Sequence, residues 1–141
     1  MEIIRATEEH VGAVYDLVSE LQSEKMEEEL FAQMYSRNLA DKDIIYLLAM
    51  EGESIVGFAS LHIQYLLHHC ARIGEIQEIV VTESRRGTGV GATLLEATRN
   101  CARQNDCTQM EVCCNRTRER SHRFYLRYGM KQSHYKFVRT I

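Results

Sequence analysis

Three glycines alternate in the stretch Arg86-Gly87-Thr88-Gly89-Val90-Gly91, and what lies on either side makes this loop a candidate anion site. The run before it, Glu75 to Thr82, is rich in Ile and Val and reads as a buried strand; Glu83, Ser84 and Arg85 form a polar turn. The run after it repeats apolar residues at helical spacing. A strand that passes through a glycine loop into a helix presents unpaired N–H groups and the positive end of a helix dipole to an anion, most often a phosphate. Glycine keeps Cβ atoms out of that approach. The alternative is a loop whose glycines serve only tight turning.

The strand itself carries Glu78. Period-2 alternation places Ile76, Glu78 and Val80 on one face, and Glu75, Gln77, Ile79 and Val81 on the other. A carboxylate between two β-branched neighbours is partly withdrawn from water, which makes it a better proton acceptor and a candidate general base. A carboxylate facing water is the plainer reading, and a bulge would shift the register. Tyr125 lies on the apolar face of a predicted helix with Ser121, Phe124 and Tyr128, so its hydroxyl needs a partner inside. Arg116, Arg118, Arg120, Arg123 and Arg127 surround it, either as a solvated basic face or as a patch for a phosphorylated ligand. His68, His69 and Cys70 make a weak metal cluster. Adjacent histidines on extended chain point to opposite sides, and surface or acceptor-site histidines fit better.

These residues need a scaffold, and the pattern supplies one. Glu2 to Ala6 predicts a short strand, followed by a helix capped at Thr7 with Val11, Val14, Tyr15, Val18 and Leu21 inward. A second helix starts near Met26 with Leu30, Phe31, Met34 and Tyr35 inward; its opening, Glu27 to Glu29, suits the helix dipole. Ile44 to Met50 and Ile55 to Leu66 predict a hairpin turning at Glu51-Gly52-Glu53-Ser54. After the loop, Val90, Leu94, Leu95, Cys101 and Ala102 share a helix face, and Thr108 to Cys114 predicts a strand parallel to the central one through a right-handed crossover. A last helix spans Arg118 to Tyr128 with Gly129 as its C′ residue, and Lys131 to Ile141 reads as a closing strand or hairpin.

A chain of 141 residues makes one domain, 1–141. Its 45% hydrophobic and 26% charged content is that of a globular protein, and a net charge of −3 argues against nucleic acid or membrane as a partner. No apolar run approaches the ~18 residues of a membrane span, and the N-terminus lacks signal-peptide character. Five cysteines without a Cys-x-x-Cys pair suit a reducing cytosol better than disulfides or zinc.

The loop lacks the Lys and Ser/Thr of a P-loop and the Gly-x-Gly-x-x-Gly spacing of a dinucleotide fingerprint. It resembles the Arg/Gln-x-x-Gly-x-Gly signature by which GCN5-related N-acetyltransferases (GNAT) bind the pyrophosphate of acetyl-coenzyme A. Asn115 and the segment His122-Arg123-Phe124-Tyr125-Leu126-Arg127-Tyr128-Gly129-Met130 resemble the C-terminal motif of the same superfamily. Ser121 departs from the small apolar Ala usual there. More narrowly, Ser60-Leu61-His62, His68-His69, Ile73 to Glu78, His122 to Arg127 and Lys131-Gln132-Ser133-His134 resemble aminoalkylphosphonate N-acetyltransferases.

The resemblance implies an α/β (α+β) GNAT fold: a mixed sheet of about six to seven strands, helices on both faces, and splayed parallel strands 4 and 5. It implies acetyl transfer from acetyl-CoA to the primary amine of a small acceptor, an aminoalkylphosphonate on the narrower match. A polyamine, an amino acid, a protein N-terminus or a non-catalytic CoA-binding module are the alternatives. Glu78 would be the general base and Tyr125 the general acid. Ile79, Val80 and Val81 would pair with the pantetheine arm, with a backbone N–H near Val80 on the thioester carbonyl. Arg86, Gly87, Thr88, Gly89, Val90 and Gly91 would hold the pyrophosphate, and Asn115 would contact the cofactor. No metal ligand is implied. Homodimers are common in the superfamily, so a second copy of the chain is the expected protein partner.

Overall fold

The structure, a computed structural model, describes residues 1–141. Two compact units are distinguished, Met1–Glu111 and Val112–Ile141. In the first, one five-stranded sheet has its strands in sequence order: β1 (Glu2–Arg5), β2 (Ile44–Glu51), β3 (Ser54–Leu66), β4 (Ala71–Val81) and β5 (Cys107–Val112). The pairs from β1 to β4 are antiparallel, while β5 joins β4 in parallel after the crossover helix α3 (Val90–Gln104). Helices α1 (Val11–Gln22) and α2 (Glu28–Leu39) connect β1 to β2. No helix is long and apolar enough to cross a membrane.

Both faces of the sheet are covered. On one, Val14, Leu17 and Val18 of α1 and Tyr35 of α2 pack with Tyr46, Leu48, Phe58 and Val80. Rings run in series through this layer: Tyr15 meets Phe31 at 5.2 Å, Tyr35 meets Tyr46 at 5.3 Å, and Tyr46 meets Phe58 at 5.3 Å. The Tyr35 hydroxyl donates to the Thr7 carbonyl at 2.7 Å, and burial pushes its pKa up to about 12. On the other face α3 buries Val90, Leu94, Leu95, Thr98 and Ala102. The Thr98 hydroxyl is satisfied by the Leu94 carbonyl at 2.8 Å, which is how a polar residue holds a core position that periodicity did not assign to it.

Close approach of α3 to the sheet depends on Gly74. A Cβ there would stand 3.0 Å from Leu61 Cδ1 and 3.3 Å from Ala102 Cβ. Gly74→Ala is therefore expected to overpack this layer and cost about 1–3 kcal/mol, read as a lower Tm. An unchanged Tm would mean that Leu61 swings clear.

Three expectations are corrected. The sheet has five strands rather than six or seven, because residues 131–141 form no strand. In that segment Tyr135, Phe137, Val138 and Ile141 are exposed. On α2, Leu30 and Met34 face solvent while Tyr35 is buried. The helix opening is capped by Glu27, whose carboxylate accepts from the N–H groups of Glu29 and Leu30. Third, β4 is not evenly alternating. Ser60 pairs with Glu78 but Leu61 pairs with Ile76, so Gln77 is an extra, unpaired residue. Neighbours on β3 point to opposite faces, so Ile76 packs on the α3 side while Glu78 and Val80 face α1 and α2.

Candidate active site

The glycine loop follows β4 through a single 3-10 turn, Glu83–Arg85. Arg85 ties that turn to the β2–β3 hairpin by two bonds of 2.7 Å to the Glu51 carboxylate. Gly87 and Gly89 take φ values of +76° and +92°, a region that residues with a Cβ rarely enter, and Gly89 is the N-cap of α3. No carbonyl of the chain accepts from the N–H groups of Gly87 to Gly91, and the loop is exposed up to Val90. The first turn of α3 therefore presents its free donors outward, where an anion is stabilised. The Arg86 guanidinium is half-exposed: Nε donates to the Val81 carbonyl at 3.0 Å and Nη2 lies 3.6 Å from Glu20.

Upstream of the loop stands Glu78, half-buried and opposite the fully buried Ser60. The Ser60 hydroxyl donates to Glu78 Oε1 at 2.5 Å and accepts from the Glu78 backbone N–H at 3.0 Å. Thr82 N–H likewise points to β3, donating to the Val56 carbonyl. Strand alternation then directs the Val80 N–H toward β3 as well, and aims the N–H groups of Ile79 and Val81 away from it. Glu75 joins the Glu78 face opposite His62, and its Oε1 accepts from Gln77 at 2.6 Å and Gln64 at 3.4 Å. Ser60, His62 and Glu75 lie in segments that carry the narrower resemblance but were given no role from the residues themselves; pairing across the bulge is what brings them to this face. The His68–His69 rings, 4.4 Å apart, sit exposed beyond the end of β3. That is roughly 20 Å along β3 from Ser60 at about 3.3 Å per residue, which separates them from Glu78. No group of three His, Cys, Asp or Glu is placed to hold a metal ion, and all five cysteines are free.

The second unit consists of the turn at Asn115, helix α4 (Glu119–Arg127) and the segment after it. Asn115 Oδ1 accepts from the N–H and hydroxyl of Thr117 at 2.9 and 2.8 Å, shaping the chain ahead of α4. Gly129, with φ +85°, ends the helix as expected: its N–H donates to the Leu126 carbonyl and that of Met130 to the Tyr125 carbonyl. Tyr125 packs its ring on Phe124 at 5.5 Å. Burial and the neighbouring Cys114 push its hydroxyl up to about 12, against the opposing pull of Arg118. Arg116, Arg120, Arg123 and Arg127 are exposed and Arg118 is half-buried.

A strand, a glycine loop with free amides and a crossover helix on a mixed sheet make an anion-binding site, and residues 11–130 match the acetyltransferase (GNAT) family, to which the chain belongs. It is an N-acetyltransferase, of a family that takes acetyl-CoA as its acetyl donor. Among characterised proteins it is 40% identical over 140 residues to the aminoalkylphosphonate N-acetyltransferase of Salmonella typhimurium, across 99% of this chain and 91% of that one. It is 30% identical, over 65% of its length and 63% of the relative's, to an uncharacterised N-acetyltransferase of Archaeoglobus fulgidus. The fold matches an aminoglycoside antibiotic 6'-N-acetyltransferase of Acinetobacter haemolyticus with a TM-score of 0.85, at 21% identity, over 100% of this chain and 99% of that one.

Proposed function

We propose that this enzyme transfers the acetyl group of acetyl-CoA to the primary amine of a small aminoalkylphosphonate, with Glu78 as general base and Tyr125 as general acid. The observation that carries the acceptor is the 40% identity over 99% of the chain to the Salmonella typhimurium enzyme of that name. The free amides of Gly87, Thr88, Gly89, Val90 and Gly91, with Arg86, hold the pyrophosphate. Arg86 reaches it by leaving Glu20, a half-exposed pair 3.6 Å apart that is worth little. Ile79 and Val81 offer the N–H groups that face away from β3, so the hydrogen bond to the thioester carbonyl comes from one of these rather than from Val80, which anchors the strand in the core. Asn115 keeps the donors of its side-chain amide for the cofactor.

An alkylamine is protonated at neutral pH, its pKa lying near the ~10 of lysine, so attack on the thioester needs a base. Glu78 takes that proton, directly or through a water. Tyr125, with its pKa near 12, keeps its proton throughout the neutral range. The departing thiolate, whose conjugate acid lies near 8.5, is too weak a base to take that proton ahead of bond cleavage, so Tyr125 serves as general acid through its hydrogen bond to the sulfur as the C–S bond lengthens. Arg118, which pulls the phenol back toward its ordinary value, narrows the gap.

A thiol-release assay across paired amines, each with and without a phosphonate group, tests the acceptor. At least a tenfold higher kcat/KM is expected with the phosphonate, about 1.4 kcal/mol of recognition. Equal rates would turn the assignment toward a polyamine, an amino acid or a protein N-terminus. CoA binding without turnover of any amine would leave a binding module.

A further inference from the structure

We infer that Ser60 is a positioning residue for Glu78, fixing which carboxylate oxygen accepts the proton. The inference deepens the reading of Glu78 as general base and rests on it. Ser60 is 0% exposed and lies in a row across three strands, Tyr46 on β2, Ser60 on β3 and Glu78 on β4. A serine hydroxyl has one proton to give and lone pairs to receive. Here the proton goes to Glu78 Oε1 and a lone pair takes the Glu78 backbone N–H, so one hydroxyl holds both the side chain and the main chain of the same residue. The second bond arises from the bulge. At this irregular step in the ladder the hydroxyl oxygen receives the Glu78 N–H, closing β4 beside the unpaired Gln77. With Oε1 engaged, Oε2 is the atom left to take the proton from the acceptor amine. Neither Tyr46 nor any residue of α1 or α2 makes the comparable contact. The Tyr46 hydroxyl oxygen accepts from the Asn38 side-chain amide at 2.7 Å, and no hydrogen bond joins it to Glu78.

The test is a double-mutant cycle on the full chain, measuring kcat, KM for acetyl-CoA and Tm. Ser60→Ala is expected to lower kcat about tenfold with KM for acetyl-CoA unchanged, since a carboxylate released from its donor samples unproductive orientations. In a Glu78→Gln background the same substitution should produce no further loss in kcat, because no base remains to be aimed. A kcat unchanged by Ser60→Ala, where Glu78→Gln lowers it, overturns the inference and leaves Glu78 as base. A tenfold loss that persists in the Glu78→Gln background shows a structural role and also overturns it. If Glu78→Gln alone has no effect, the base assignment fails first. Ser60→Cys keeps the shape with a slightly larger atom and a weaker donor, and an intermediate kcat is expected where Ser60→Ala fails to fold; a full wild-type rate in Ser60→Cys counts against the inference.

Discussion

Glu78→Gln is expected to lower kcat at pH 7 by a factor on the order of 10²–10³, within the roughly 10²–10⁴ of positioned acid–base catalysis. The substitution is nearly isosteric, and its amide carbonyl can still accept from Ser60, so the strand, the bulge and the glycine loop should persist. Stabilisation by CoA in thermal melts should stay within a degree of that of the unchanged protein. The deficit should shrink as pH rises toward ~10, where the acceptor amine loses its own proton without help. A variant that is equally slow at every pH would place Glu78 in orientation rather than in proton transfer. An unimpaired variant would remove it from the chemistry altogether.

The second large effect is expected at Gly89. Its φ of +92° is one that a β-branched side chain adopts only under strain, while a Cβ placed there would meet no atom within 4 Å. Gly89→Val is therefore opposed by the backbone and not by packing, and the loop relieves the strain by rotating its amides out of their common direction. KM for acetyl-CoA should rise at least tenfold and the thermal shift with CoA should largely disappear, whereas kcat at saturation should fall by less than threefold. A loss confined to kcat would mean that the loop amides do not hold the donor.

Much of this was legible in the sequence, and the gaps have particular causes. The glycine loop, the crossover helix and the Gly129 cap were readable because each rests on local rules: positive φ, helical periodicity, a C′ residue. The inward face of helix α2 is narrower than its periodicity suggests: Phe31 and Tyr35 turn inward as expected, Leu30 and Met34 do not. Leu30 with Met34 and Phe31 with Tyr35 form adjacent stripes of equal spacing, and only the docking of Tyr35 on Tyr46 and Thr7 chooses between them. Val80 shares the face of Glu78 as expected, but Ile76 and Glu75 exchange sides, because alternation assumes an unbroken ladder and no residue in Ile76-Gln77-Glu78 marks the break. Ser60 could have been found by asking which polar residue on β3 falls opposite Glu78, but that requires the pairing itself. The sheet stops at the fifth strand, and residues 131–141, strand-forming in composition, lie outside it with their large apolar side chains exposed.

The additional residue in β4 has one consequence for how the site is built. Ile76 and Glu78 are both even-numbered, so a regular strand would send both to the same side, and an oily side chain and an ion would compete for one kind of surroundings. Inserting Gln77 gives each its own side within three positions. The protein thereby mounts an ionisable group two positions from the fully buried Ile76, on a strand rather than on a loop tip. The aim of that group is governed by arithmetic along the backbone, one residue more or fewer.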